Sequence, residues 1–215
     1  ERKTRDLSVT LASGEVRRQR YEYPSPNDCL VCHNANAGYV LGVRSEQLNR
    51  AAPASGENQL VAWSRAGMFT EPLPADTVEQ FPRLASLADE QKSLEERIRS
   101  YWASNCAMCH GVDREIRATW DARYSTPLAS QKVIMGSISE VGVAGAAVVV
   151  PGNAQRSAMF LRSATADRRK GAMPPLGHRR VDDQYVDLLK RWIDSLGAAP
   201  GGATAAAAAD ASGAG

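Results

Sequence analysis

The chain has 215 residues, 26 of them Lys or Arg and 24 Asp or Glu. That length allows one large domain or two small ones, and a net charge of +2 excludes nucleic-acid binding through the charge of the whole molecule. Hydrophobic residues make up 43% but aromatic ones only 6%, so we expect a globular protein whose core is poor in flat side chains, a lack that a bound cofactor could fill.

The first 24 residues alternate. Leu7, Val9 and Leu11 precede Ser13-Gly14, and Val16, Tyr21 and Tyr23 follow, which predicts a β-hairpin or extended arm. The chain begins at Glu1, and we expect either a removed leader or a piece of a longer protein. "YPSPNDC" should then end regular structure, because each proline disfavours helix in the residue before it. Arg50 to Pro82 is rich in Pro, Ala, Gly and Ser and reads as loop with one short helix around Gln59 to Ala66.

A clear helix follows. Leu94, Ile98, Tyr101, Trp102 and Asn105 recur at three- and four-residue steps, and Ser93 with Glu96 forms a capping box. "VVVPGNAQRSAMFLRSA" predicts a short strand, a Pro-Gly turn and a helix capped by Asn153. The last helix carries the stripe Val181, Tyr185, Leu188, Leu189, Trp192, Ile193 and Leu196, with Asp182 as its cap and Gly197 where a C-terminal cap belongs. Residues 198–215 are an Ala/Gly low-complexity tail, expected to be disordered. The apolar run Val141 to Val150 is too short to span a membrane and is closed by Pro151-Gly152.

Two stretches stand apart from this patterning. "DCLVCHNAN" and "NCAMCHGVD" both contain Cys-x-x-Cys-His, and together they use all four cysteines and two of the three histidines. This is the attachment signature of c-type haem. Two thiols three positions apart can each bond to one vinyl group of a single porphyrin, and the next residue then presents its imidazole to the iron. Cys29 and Cys32 would hold one haem with His33 as proximal ligand, and Cys106 and Cys109 a second with His110. A zinc site made of two Cys-x-x-Cys pairs usually has roughly 15–20 residues between them. Here the gap is several times longer, and zinc leaves the paired histidines unexplained. A thioredoxin-like motif lacks its βαβ context, and two disulfides would also leave the histidines unexplained.

One histidine, His178, is left for the opposite faces of the two irons, so at most one haem is bis-histidine. Met173, in "GAMPPLG", is the candidate for the second haem, because Pro174 and Pro175 stiffen the loop that would hold its thioether. Packing in the core is the alternative for such a methionine. For the first haem, Met68 in "AGMFTEP" competes with His178, Met135 and Met159. Met108, on the proximal side between two haem cysteines, is excluded.

The segments "YWASNCAMCHG", "VVVPGNAQRSAMFLR", "MPPLG" and "VDLLKRWIDSL" resemble a class I cytochrome c unit. The wider pattern from "YPSPNDCLVCHNANAGYVLG" onward, about Tyr21 to Leu196, is similar to a group of bacterial di-haem cytochromes. The resemblance implies a mainly α protein of two cytochrome c-like helical haem domains, residues 25–85 and 86–197, behind an N-terminal arm of residues 1–24. It also implies that Tyr101 or Trp102 meets Tyr185 or Trp192 where the first and last helices cross. The first unit departs from the pattern, since no terminal helix or Met-Pro loop follows it. Trp63 and Trp120 are expected either at haem propionates or in plain packing.

The function implied is electron transfer by two covalently bound haems, outside the bacterial cytoplasmic membrane, between redox protein partners or within a larger respiratory assembly. "DRRK" and "HRR" bracket Met173 and would form a basic collar that steers an acidic partner, an attraction that added salt would weaken. The alternative from another class is a di-haem peroxidase, which needs one iron with an open position and acid–base residues above it.

Overall fold

The computed structural model describes residues 3–111, 120–138 and 142–197; the expected tail at 198–215 lies outside them. Strands β1 (Lys3–Thr10) and β2 (Val16–Tyr23) form an antiparallel hairpin, with Leu7 opposite Gln19 and Val9 opposite Arg17. Gly14, at φ +85°, turns the chain, and its N–H donates to Leu11 O at 2.9 Å. Val9 and Val16 remain exposed, so the hairpin contributes no core of its own.

"YPSP" ends β2 as expected, and then starts a helix. Ser25 stays extended before Pro26, as a residue preceding proline should, and Pro26 opens α1 (Pro26–Cys32). Ser25 and Asp28 cap each other: Asp28 N–H donates to Ser25 Oγ at 3.3 Å, and Ser25 N–H donates to Asp28 Oδ2 at 2.9 Å. Three short helices follow, α2 (Ser45–Leu48), α3 (Gln59–Arg65) and α4 (Ala75–Val78). The buried Asn49 side chain ties them together by donating to the carbonyls of Val78 (3.1 Å) and Phe81 (2.9 Å).

The main core lies further along. Helix α5 (Leu94–Asn105) starts where Ser93 Oγ accepts Glu96 N–H at 3.1 Å, and α7 (Asp183–Gly197) starts where Asp182 Oδ1 accepts Tyr185 N–H at 3.2 Å. The apolar stripes of the two helices pack on each other, burying Ile98, Trp102, Leu189, Trp192 and Ile193. Tyr101 stacks on Tyr185 with ring centroids 3.8 Å apart, and Trp102 meets Trp192 edge-on at 5.3 Å. Helix α6 (Ala158–Ser163) and the bridge pairing Ile134 with Val149 close the same core.

Asn153 caps a 3₁₀ turn, Ala154–Arg156, ahead of α6, and the "VVV" segment forms isolated bridges rather than a strand. Gly197 is the last residue of α7 and does not adopt the left-handed cap conformation. Its missing Cβ serves contact instead, because an added methyl would stand 2.5 Å from Gly152 Cα.

The expectation of a mainly α chain of two cytochrome c-like helical domains is overturned. Of the described residues 36% are helical and 12% lie in strands or bridges. Only α5 and α7 are long enough to carry a continuous apolar stripe. Between β2 and α5 the helices are single or double turns cut short by Pro and Gly, too short to pack as a helical domain.

Candidate functional site

Both Cys-x-x-Cys-His motifs close in the same way. His33 N–H donates to Cys29 O at 2.8 Å, and His110 N–H donates to Cys106 O at 2.8 Å. Each motif is therefore one turn that carries two cysteines and a histidine. None of the four cysteines is in a disulfide. The two pairs do not converge on a shared ion: no group of three or more His, Cys, Asp or Glu among the described residues could hold a metal.

The first motif lies at the surface, on α1. Asn34 Oδ1 accepts Ala37 N–H at 2.9 Å, and Asn34 O accepts Tyr39 N–H at 3.0 Å, so the chain curls back on itself. Tyr39 ends this curl with φ +60°, an uncommon value for a residue with a side chain. Its carbonyl thereby reaches His33 Nδ1 at 2.6 Å. A carbonyl can only accept, so Nδ1 is the donor in this bond, which leaves Nε2 as the ring nitrogen turned to other partners. Around it Leu30, Val31, Val40 and Val43 are exposed, Val40 at 66%. A bared apolar surface beside two thiols and an oriented imidazole suits a flat apolar cofactor.

The second motif is built into the core. Trp102 O accepts the N–H groups of both Cys106 (2.8 Å) and Ala107 (3.0 Å), so α5 leads directly into the turn. Burial, with Cys109 beside it, pushes the Cys106 thiol up to about 12. Such a thiol stays protonated at ordinary pH. His110 stacks on Trp120 with ring centroids 4.6 Å apart, and Trp120 meets Trp102 edge-on at 5.4 Å. Trp120 thus serves packing. Burial, and after it the Arg162 cation, push His110 down to about 4, so the imidazole is neutral at ordinary pH. Its Nδ1 is buried without a partner among the described residues. A neutral imidazole directly after two thiols on one turn fits a covalently held, iron-bearing macrocycle.

Met173 is partly buried, and its N–H donates to Arg162 O at 3.0 Å. The Arg162 side chain in turn acts on His110 through its charge. Met68 is 65% exposed, anchored only through its N–H to Trp63 O at 3.0 Å, and Met135 is 56% exposed. Met159 is core, on α6. His178 is partly buried, and its Nδ1 is orphaned among the described residues.

The basic residues form a wider array than the two sequence clusters imply. Arg168 and Arg179 both reach Glu22 on β2, the former at 3.6 Å. Arg17, Arg18 and Arg20 of the hairpin join Arg179 and Arg180 around a surface groove of about 400 Å³. Sequence reasoning missed the hairpin's part in this groove, although "VRRQR" shows three arginines on one strand. It also missed Tyr39, whose contribution is a carbonyl that every residue type carries. No family model matches this chain, and neither a curated protein nor a solved structure does. No helix among the described residues is long and apolar enough to cross a membrane.

Proposed function

We propose that the chain is an exported di-haem c-type cytochrome that carries electrons between redox proteins. The observation that supports this most is the pair of matching turns, each carrying two cysteines outside any disulfide and a histidine directly after them. Cys29 and Cys32 would hold one haem and Cys106 and Cys109 the other, with His33 and His110 as proximal ligands. Bound there, the haem irons supply one-electron redox chemistry.

The chain's own residues do the rest. Tyr39 O orients the His33 ring, and Trp120 fixes the plane of the His110 ring while Trp102 and α5 hold its turn. Met173, on a loop stiffened by Pro174 and Pro175, would supply a thioether to the second haem. The arginine groove beside the hairpin fits a partner rich in carboxylates, and charge of one sign lining a groove speeds encounter with the opposite sign.

The test is the intact mass and visible spectrum of protein matured in a host that attaches haem. We expect a mass exceeding the polypeptide's by two haems. Replacing Cys29 and Cys32 by serine should remove one of them, and replacing Cys106 and Cys109 the other. A colourless protein with the bare polypeptide mass would overturn the reading. Rapid turnover of hydrogen peroxide would make it an enzyme instead.

A further inference from the structure

The hairpin is a two-stranded sheet, so β2 pairs with β1 along one edge and has no strand partner along the other. Side chains alternate along β2. Arg18 and Arg20 stand on one face, opposite Ser8 and Asp6, while Arg17 and Gln19 stand on the other, opposite Val9 and Leu7. All four nevertheless line one groove of about 400 Å³ and no residue of β1 does, so the groove runs along the unpaired edge. Its second wall is Arg179 and Arg180, from the loop after Met173. Glu22, two residues beyond Arg20, ties the walls together by receiving both Arg168 and Arg179.

Three of the five guanidinium groups in the groove are held by neighbours. Arg17 lies 3.6 Å from Glu15, Arg20 donates to Thr4 Oγ1 at 3.3 Å, and Arg179 reaches Glu22. Each keeps donors to spare, since a guanidinium has five. Arg18 and Arg180, one on each wall, have no ion-pair partner among the described residues. The five arginines thus share two carboxylates in ion pairs, and one of those is divided with Arg168. Like charges gathered in this way repel one another, and a ligand of opposite charge that spans both walls removes that cost.

From this geometry we infer that the groove is a binding site for a small polyanion of the di- or triphosphate class. Adjoining phosphates on one short chain carry several charges a few ångströms apart, so one molecule meets the guanidinium forks of both walls at once. Carboxylates on a folded partner are spaced by its backbone and meet the rim more readily than the floor. The proposed function gives the same groove to an acidic partner, and the inference rests on that reading for one consequence only: the phosphate ligand and the partner compete.

The experiment titrates the full chain with sodium tripolyphosphate in a calorimeter at about 0.15 M salt, where charges more than about 8 Å apart are largely screened. One saturable site is expected. Arg18→Gln and Arg180→Gln alter exposed side chains on the two walls and should each weaken binding about tenfold. Arg5→Gln, on β1 and outside the groove, should leave binding unchanged. Hexaglutamate and phosphatidylglycerol vesicles are titrated alongside, and both should bind more weakly than tripolyphosphate. The inference is overturned if no saturable site is found, if Arg5→Gln weakens binding as much as the two groove variants, or if the peptide or the vesicles bind more tightly. The intact mass of the matured protein counts its haems separately, so the electron carrier can fail while the groove stands, and the reverse.

Discussion

Tyr185→Phe tests whether the joint between α5 and α7 governs the second motif. Trp102 is fully buried and donates Nε1–H to Tyr185 Oη at 3.0 Å, and Tyr185 itself is 4% exposed. Burial holds the phenol protonated, with its pKa well above the ordinary value. Removing the hydroxyl leaves the indole N–H in the core with no acceptor, a loss of about 1–3 kcal/mol, and we expect about 2 kcal/mol here. For a chain of this size that is a drop in Tm of roughly 4–8 °C. The stacked ring of Tyr101 is kept, so aromatic packing is unchanged. Tyr101→Phe is the control: its hydroxyl bonds Asp182 at a half-buried site, where water can replace the lost contact, and the cost should be below about 1 kcal/mol. Denaturant unfolding of both variants, followed by tryptophan fluorescence and by the absorption of the proposed second haem, reads the effect. Trp102 O also holds the N–H groups of Cys106 and Ala107, so both probes should shift together. If Tyr185→Phe unfolds within 0.5 kcal/mol of the parent, or if Tyr101→Phe costs more, the buried hydrogen bond is not what secures the joint.

Three other substitutions probe separate links. Burial pushes the Asp121 carboxyl up, but hydrogen bonds from Arg123 and Thr126 outweigh it and hold the group below its usual range. Its contribution to stability is therefore present above the ordinary aspartate value of about 4 and is lost as pH falls through the lower folded value; Asp121→Asn should flatten that acid limb in pH-dependent melting. Gly197→Ala places a methyl against the Gly152 backbone, which cannot swing aside as a flexible side chain can, and should lower stability by about 1–3 kcal/mol in denaturant melts. Ser25→Ala removes the start of α1 and about 1 kcal/mol of local stability. Mass spectrometry should then show a larger share of protein lacking the first haem, with attachment at Cys106 and Cys109 unaltered.

Much of this was legible from residues because it is local. The Ser93 and Asp182 caps, the stripes of α5 and α7 and the turn at Ser13-Gly14 depend on side chains a few positions apart, and all are found. "SPND" was read only as a stop, although Ser at the cap, Pro at the first helical position and Asp three residues after the Ser also spell a helix start. The helical haem domain expected over 25–85 failed for a reason visible afterwards: Leu60 and Val78 are its only large apolar side chains buried among the described residues, too few to assemble a helical core. Chain reversals and long-range pairing were not legible. Nothing local links Glu22 to Arg168 and Arg179, or joins three hairpin arginines to two from the loop after Met173.

The two motifs share a turn and differ in surroundings, and that difference has consequences for the proposed electron carrier. Around the first, Leu30, Val40 and Val43 face solvent and the ring of His33 is held by a surface loop. Around the second, Ala107 is fully buried, Trp120 covers the imidazole and the turn grows out of the main core. A charge gained at a buried centre is harder to stabilise than one gained in contact with water. The second site should therefore be reduced first, and the first should be the one that gives up its electron more readily. The arginine groove lies beside the hairpin and the cavity next to Asp28, on the side of the first motif. An acidic partner docking there would lie beside the more exposed of the two motifs, away from the one whose imidazole Trp120 covers.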